Sequence, residues 1–143
     1  MEPKKKKRIL VVDDHEEVRE VIVAYLDALG CPAMQAANGR IALEFLADNP
    51  GAVDLLMADY AMPEMSGIEL LRAVRAKCPA LPAIIVTGYA DTTGFDGAAD
   101  MVLLKKPFRM NELAATMELA LSRGSSIGTT ASTVIPLRSA KRR

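Results

Sequence analysis

Five polar residues stand at the ends of apolar runs in this 143-residue chain. Asp13 and Asp14 follow the run 8–12, Asp59 follows 53–58, Thr87 follows 83–86, and Lys106, with Pro107 behind it, follows 101–104. Three carboxylates gathered in one place repel each other, and a bound cation offsets that repulsion. Hard oxygen donors without a cysteine or histidine cluster select Mg²⁺ or a similar ion. A carboxylate is also a nucleophile toward phosphorus, giving an aspartyl phosphate. A metal and an ammonium group then neutralise charge on the transferring phosphoryl oxygens, and a threonine hydroxyl can donate to the product phosphate. Taken singly, each residue has a plainer reading. Asp13 or Asp14 could cap a helix beginning near His15, Asp59 could cap a turn, Thr87 could be a satisfied loop hydroxyl, and Lys105 or Lys106 could be solvated. Five such residues in equivalent places weigh against coincidence.

The elements that must position them are readable in order. Residues 8–12 form a short apolar run ending in acids, as a buried strand does. Val18, Val21, Ile22, Tyr25, Leu26 and Leu29 recur at helical spacing, and Gly30 closes that helix. A weak strand at 33–36 precedes a helix marked by Ile41, Leu43, Phe45 and Leu46, which ends near Asn49 and Pro50. A second strong strand covers 53–58, and Ile68, Leu70, Leu71 and Val74 make a third helix. Strands at 83–86 and 101–104 follow, then a helix over 109–121 with Leu113, Met117, Ala120 and Leu121 facing in. Strands alternate with helices and are apolar throughout, which predicts an α/β fold, a doubly wound five-stranded parallel sheet covered on both faces. Ligands of such sheets bind at the carboxyl ends of the strands, where all five polar residues fall.

Composition sets the outer limits. The length suits one domain, and half the residues are hydrophobic with no Trp, so the core is aliphatic. No apolar run approaches the roughly 20 residues of a membrane span, and the run before Asp13 is too short for a signal peptide; a cytoplasmic protein is expected. Cys31 and Cys78 show no CxxC pattern and read as reduced packing residues. His15, the sole histidine, is given no catalytic role. Net zero charge hides a division. Residues 2–8 hold five basic groups and one acid, and 122–143 hold five basic groups and no acid. Subtracting these from 18 basic and 18 acidic residues leaves 8 and 17 in the body, so the body is acidic and no nucleic-acid binding is expected. Lys4–Lys7 reads as a solvated terminus, and a basic tail rich in Ser, Thr and Gly at 123–143 reads as disordered.

The chain resembles the receiver domain of bacterial two-component response regulators. Ile9–Asp14 is similar to that family's first strand and acidic pair. Residues 54–67, from Asp54 through Asp59, Met62 and Pro63 to Gly67, resemble its phosphoacceptor strand and loop. Val86-Thr87-Gly88 resembles the switch threonine, and Lys106-Pro107-Phe108 the lysine before a cis proline. The resemblance covers about residues 8–122, after a basic extension at 1–7. It implies a flavodoxin-like (βα)5 fold with strand order 2-1-3-4-5. It also implies phosphorylation of Asp59 with bound Mg²⁺. Asp14, Asp59 and the backbone carbonyl of Ala61 would ligate the metal, and Asp13 would act through water. Lys106 and Thr87 would contact the phosphoryl group, and the Lys106–Pro107 bond would be cis, as is common before proline. Donors would be a histidine kinase, a phosphotransfer protein or small phosphodonors. A downstream protein would bind the face of the fourth helix, fifth strand and last helix, with no membrane partner. The chain would be a monomer or a phosphorylation-dependent dimer, catalysing only its own phosphorylation and dephosphorylation.

Three departures from the family pattern carry expectations of their own. Leu103 occupies the switch position usually held by Tyr or Phe. The stretch from Thr87 to Lys106 is shorter than usual and holds Gly94 and Gly97, so the fourth helix is expected to be short or missing. Ala61 offers no polar group to position a water, and Tyr89 is placed to cover the site, which together predict slow dephosphorylation. A phosphoryl lifetime of seconds rather than many minutes would contradict that. A single-domain regulator is expected; the receiver of a hybrid histidine kinase and a pseudo-receiver interaction module are the alternatives. A haloacid-dehalogenase-like phosphatase needs an acid where Ala61 stands, and a dinucleotide-binding fold needs a GxGxxG that is absent.

Overall fold

The computed structural model describes residues 6–88 and 101–125. Five strands, β1 (Ile9–Val12), β2 (Ala33–Ala36), β3 (Leu55–Asp59), β4 (Ala83–Thr87) and β5 (Val102–Lys105), form one parallel sheet in the order β2-β1-β3-β4-β5. Helices α1 (Glu16–Ala28), α2 (Gly39–Asp48), α3 (Gly67–Lys77) and α4 (Met110–Ser125) connect and cover it. The alternation of side chains along each strand assigns the faces. Leu10, Val12, Leu56, Ala58 and Ile85 pack with Ala42 of α2 and Leu70, Leu71 and Val74 of α3. Ile9, Val11, Leu55, Met57, Ile84 and Val86 pack with Ile22 and Leu26 of α1 and Leu113, Met117 and Ala120 of α4. The sheet is therefore doubly wound, and both faces of the three central strands are buried.

Two sequence expectations need correcting. β5 is not buried on both faces: Val102 and Leu104 are buried, and Leu103 and Lys105 are exposed. It is an edge strand of the sheet, paired only with β4 among the described residues. The last helix, expected to end at residue 121, runs on to Ser125. The expected short or missing fourth helix lies outside the described residues, as do the terminal segments 1–5 and 126–143. Among the described residues no helix is long and apolar enough to cross a membrane.

Local signals set the helix starts. Asn38 caps α2 by accepting from the Ile41 amide at 2.8 Å. Ser66 and Glu69 form a reciprocal capping box at α3, with bonds of 3.1 and 2.9 Å. Between β3 and α3 the chain turns through Glu64, whose φ is +71°. A non-glycine residue there costs about 1–2 kcal/mol, and Asn tolerates the conformation better. Glu64→Asn is therefore expected to raise the unfolding free energy by about 0.5–1 kcal/mol, read from urea denaturation; no gain would mean that Glu64 makes a compensating contact.

At the amino edge of the sheet Arg8 is not a solvated residue of the basic terminus. Its backbone N and Nε donate to Asp54 Oδ2 at 2.8 and 3.0 Å, and its Nη2 donates to the Gly51 carbonyl at 2.9 Å. The Arg8 side-chain bond holds the Asp54 carboxyl below the usual carboxylate range. A depressed carboxyl contributes stability above its ordinary pKa and loses it as pH falls through the depressed value. Arg8→Ala should lower the thermal midpoint at neutral pH, and the gap should close in strong acid. A gap of equal size at every pH would assign the loss to packing instead.

Candidate functional site

The carboxyl ends of β1, β3, β4 and β5 bring the sequence-predicted residues together. Asp59 is the last residue of β3, Thr87 the last of β4, and Asp13 and Asp14 directly follow β1. Parallel pairing sets Asp59 opposite Val86 and Thr87 opposite Lys105, so the ends lie level. The Lys106 amide donates to the Thr87 carbonyl at 2.8 Å, extending that pairing one residue beyond β5. Lys106 Nζ then reaches Asp59 Oδ1 at 2.9 Å and stands 3.7 Å from Asp13 Oδ2. Asp13, Asp59 and Thr87 are the buried polar residues of the described core. The Lys106–Pro107 bond is cis, and Phe108 follows it with its ring edge-on to Tyr25 of α1 at 6.2 Å.

The charges interact strongly. Burial pushes the Asp59 carboxyl above the ordinary carboxylate range. Its hydrogen bond from Lys106 works against that, and Asp13 and Asp14 add to it. Burial works against the Lys106 ammonium as well, but the Asp59 bond and the surrounding carboxylates outweigh it and hold the amine above its ordinary range. The cluster is thus short of positive charge on its carboxylate side.

Two oxygens mark where a hydrogen-bond donor or ligand is missing. Asp13 Oδ2 and Asp14 Oδ1 are buried and accept no hydrogen bond. Buried acceptors are normally satisfied, and a cation ligated by oxygen would satisfy these. The residues therefore fit a hard divalent ion. The structure also brings in His15, for which the sequence suggests no catalytic role: its Nδ1 lies 3.3 Å from both Asp13 Oδ1 and Asp14 Oδ1, and the three residues could share an ion. His15 is the N-cap of α1 but makes no side-chain cap, and neither aspartate caps that helix. Asp13 Oδ1 instead accepts from the His15 amide at 2.8 Å.

The other expected residues are placed as follows. Ala61 is exposed just beyond Tyr60, whose amide donates to the Val86 carbonyl at 2.8 Å. Leu103, 37% exposed, points away from the core on β5. Tyr89 lies outside the described residues. Sequence reasoning passed over Arg19, whose Nη1 donates to the Asp13 carbonyl at 2.7 Å and whose Nε donates to Gln35 Oε1 at 2.9 Å. It is the one basic residue of α1, among Glu16, Glu17, Glu20 and Asp27, and that contrast was a usable signal. It also passed over the Ser66–Glu69 box, which the S-x-x-E spacing announces.

An open parallel sheet with an acidic cluster and a lysine at its carboxyl edge defines a class of site. Residues 9–118 match the family described as "Response regulator receiver domain". The chain belongs to this family, the receiver domains of two-component systems. It is 35% identical over 118 residues to the response regulator receiver protein CpdR of Brucella abortus, covering 80% of this chain and 97% of that one. It is 36% identical over 118 residues to the sensor kinase CckA of the same organism, but spans only 12% of that protein. Among solved structures, chemotaxis protein CheY4 of Vibrio cholerae superposes with a TM-score of 0.76 at 26% identity, covering 82% of this chain and all of that one. Receiver domains generally depend on Mg²⁺ and interact with histidine kinases and phosphotransfer proteins, and the acidic cluster is in keeping with that.

Proposed function

We propose that the chain accepts a phosphoryl group on Asp59 and signals or relays it through phosphorylation-dependent protein binding. The observation that carries this reading is the 2.9 Å bond between Lys106 Nζ and Asp59 Oδ1, next to two buried acid oxygens without hydrogen-bond donors. An Asp59 carboxylate oxygen attacks the phosphorus of a phosphohistidine or an acyl phosphate. The new P–O bond forms as the bond to the leaving group breaks, and the leaving group departs with the electron pair. Lys106 neutralises charge on the phosphoryl oxygens, and the Thr87 hydroxyl donates to one of them. Asp14, Asp59 and the carbonyl of Ala61 would hold Mg²⁺, and Asp13 would act through water. The metal supplies charge neutralisation at the same oxygens.

The likeness to CpdR supports a single-domain regulator, and the likeness to the receiver domain of the hybrid histidine kinase CckA supports a receiver within such a kinase. The chemistry is the same in both. The chain turns over no separate substrate in this reading. Its downstream partner binds the face that includes β5 and α4, where Leu103 takes the place of an aromatic switch.

Incubation with acetyl phosphate and Mg²⁺ should add the mass of one phosphoryl group to the parent and none to Asp59→Asn. No gain in the parent with acetyl phosphate, or with a histidine kinase as donor, would favour a pseudo-receiver that binds partners without phosphate.

A further inference from the structure

We infer that Arg19 is a positioning residue for the divalent-ion site, acting on the peptide between Asp13 and Asp14 with Gln35 as its anchor. The inference rests on the reading of that site given under Proposed function. A trans peptide is planar, so holding the Asp13 carbonyl oxygen sets ψ of Asp13 and φ of Asp14 together. Those two angles aim the Cα–Cβ bonds of both aspartates. The segment is pinned at three backbone groups, the amide and carbonyl of Asp13 and the amide of His15. The Asp13 amide donates to the Ala36 carbonyl at 3.2 Å, and the His15 amide donates to Asp13 Oδ1 at 2.8 Å. The Asp13 carbonyl accepts from Arg19 Nη1 at 2.7 Å, the shortest of the three.

The first two bonds belong to the β1–β2 pairing and to the turn itself. The third comes from outside, one turn into α1. Arg19 Nε is at the same time bonded to Gln35 Oε1 at 2.9 Å on the edge strand β2. A guanidinium presents its donors in a rigid fork, so fixing one nitrogen on Gln35 aims another at Asp13. A lysine has a single nitrogen on a flexible stem and cannot hold both partners in that geometry. Among the described residues Arg19 is bonded to the Asp13 carbonyl and to Gln35, and to no side-chain carboxylate of the cluster, so its role is to aim ligands rather than to pair with them.

The electrostatic effect of Arg19 runs the opposite way, which makes the inference testable by sign. A positive charge beside a divalent-ion site weakens ion binding, so removing it should tighten binding if charge were all that mattered. Loss of aim should weaken binding, because groups that orient metal ligands are worth about 10–100-fold in metal affinity.

The test uses the full chain and Mn²⁺ as the probe, with binding read from loss of the free-ion electron paramagnetic resonance signal and reversed by Mg²⁺. The parent, Arg19→Met, Arg19→Lys and Gln35→Leu are compared, with metal-free thermal midpoints measured beside them. The expected result is Mn²⁺ binding weakened about 10–100-fold in Arg19→Met, by less in Arg19→Lys, and several-fold in Gln35→Leu. Gln35 is exposed on an edge strand, so its variant should fold even where Arg19→Met does not. Unchanged or tighter Mn²⁺ binding in Arg19→Met or Gln35→Leu, with or without a lowered midpoint, would overturn the inference and leave Arg19 a structural tie. Failure of the parent itself to bind Mn²⁺ would instead overturn the Mg²⁺ part of the proposed function, and this inference with it.

Discussion

Lys106→Met is expected to slow phosphoryl uptake from acetyl phosphate by about 10²–10³-fold, the usual cost of removing a positioned group that stabilises transition-state charge. The magnitude follows from the surroundings of the amine. Lys106 Nζ is 2.9 Å from Asp59 Oδ1 and 3.7 Å from Asp13 Oδ2, and it is the only lysine or arginine paired with Asp59 or Asp13 side chains in the described site. Without it the developing negative charge faces Asp13 and Asp14 with one cation fewer. The same change should destabilise the metal-free fold by about 2 kcal/mol at neutral pH, the range for a hydrogen bond to a charged group.

The pH dependence of that loss is fixed in sign. Asp59 already titrates above the ordinary carboxylate range because of burial, and the Lys106 bond lowers it. Removing the bond raises it further. A carboxyl raised in the folded state favours folding below its ordinary pKa, and that advantage is lost as pH rises to the raised value. The stability gap between parent and Lys106→Met should therefore be widest near neutral pH and should shrink in acid. Urea denaturation across the acid range checks this. A gap that stays constant with pH would mean that Lys106 stabilises through its methylene stem.

Gly67→Ala is expected to cost about 2–3 kcal/mol of stability and to impair phosphoryl uptake together with it. A Cβ at Gly67 would stand 2.5 Å from the Asp59 carbonyl oxygen, 3.1 Å from the Asp59 carbonyl carbon and 3.2 Å from the Tyr60 Cα. All three are backbone atoms, two of Asp59 itself and one of Tyr60 beside it, and the Gly67 amide is bonded to the Tyr60 carbonyl at 2.9 Å. The strand end and the helix start must move apart, and Asp59 moves with them. Gly39 is the matched control. A Cβ there would meet Met65 Sδ at 2.5 Å, the far end of a flexible side chain, so Gly39→Ala should cost less and leave Asp59 in place. Equal losses in the two variants, by urea denaturation and by phosphoryl mass gain, would refute the backbone argument.

The order of elements and the five polar residues at strand ends were legible without coordinates. The apolar runs before Asp13, Asp59, Thr87 and Lys106 act over a few positions of chain, so local spacing records them. The alternation of strands and helices limits the topology to few choices, because parallel strands need crossovers. Other features needed the assembled sheet. Arg8 looks like the last of a basic run until β1 and β3 lie side by side and Asp54 meets it. Leu103 is exposed while Val102 and Leu104 are buried, an alternation of faces that an apolar run does not reveal. The tie from Arg19 to Asp13 and Gln35 spans three elements that meet only after α1 folds back over β1 and β2. The ammonium of Lys106 reaches Asp59 because two distant strands end level on one edge, and contacts between segments far apart in the chain depend on register and crossover rather than on the spacing of neighbouring residues.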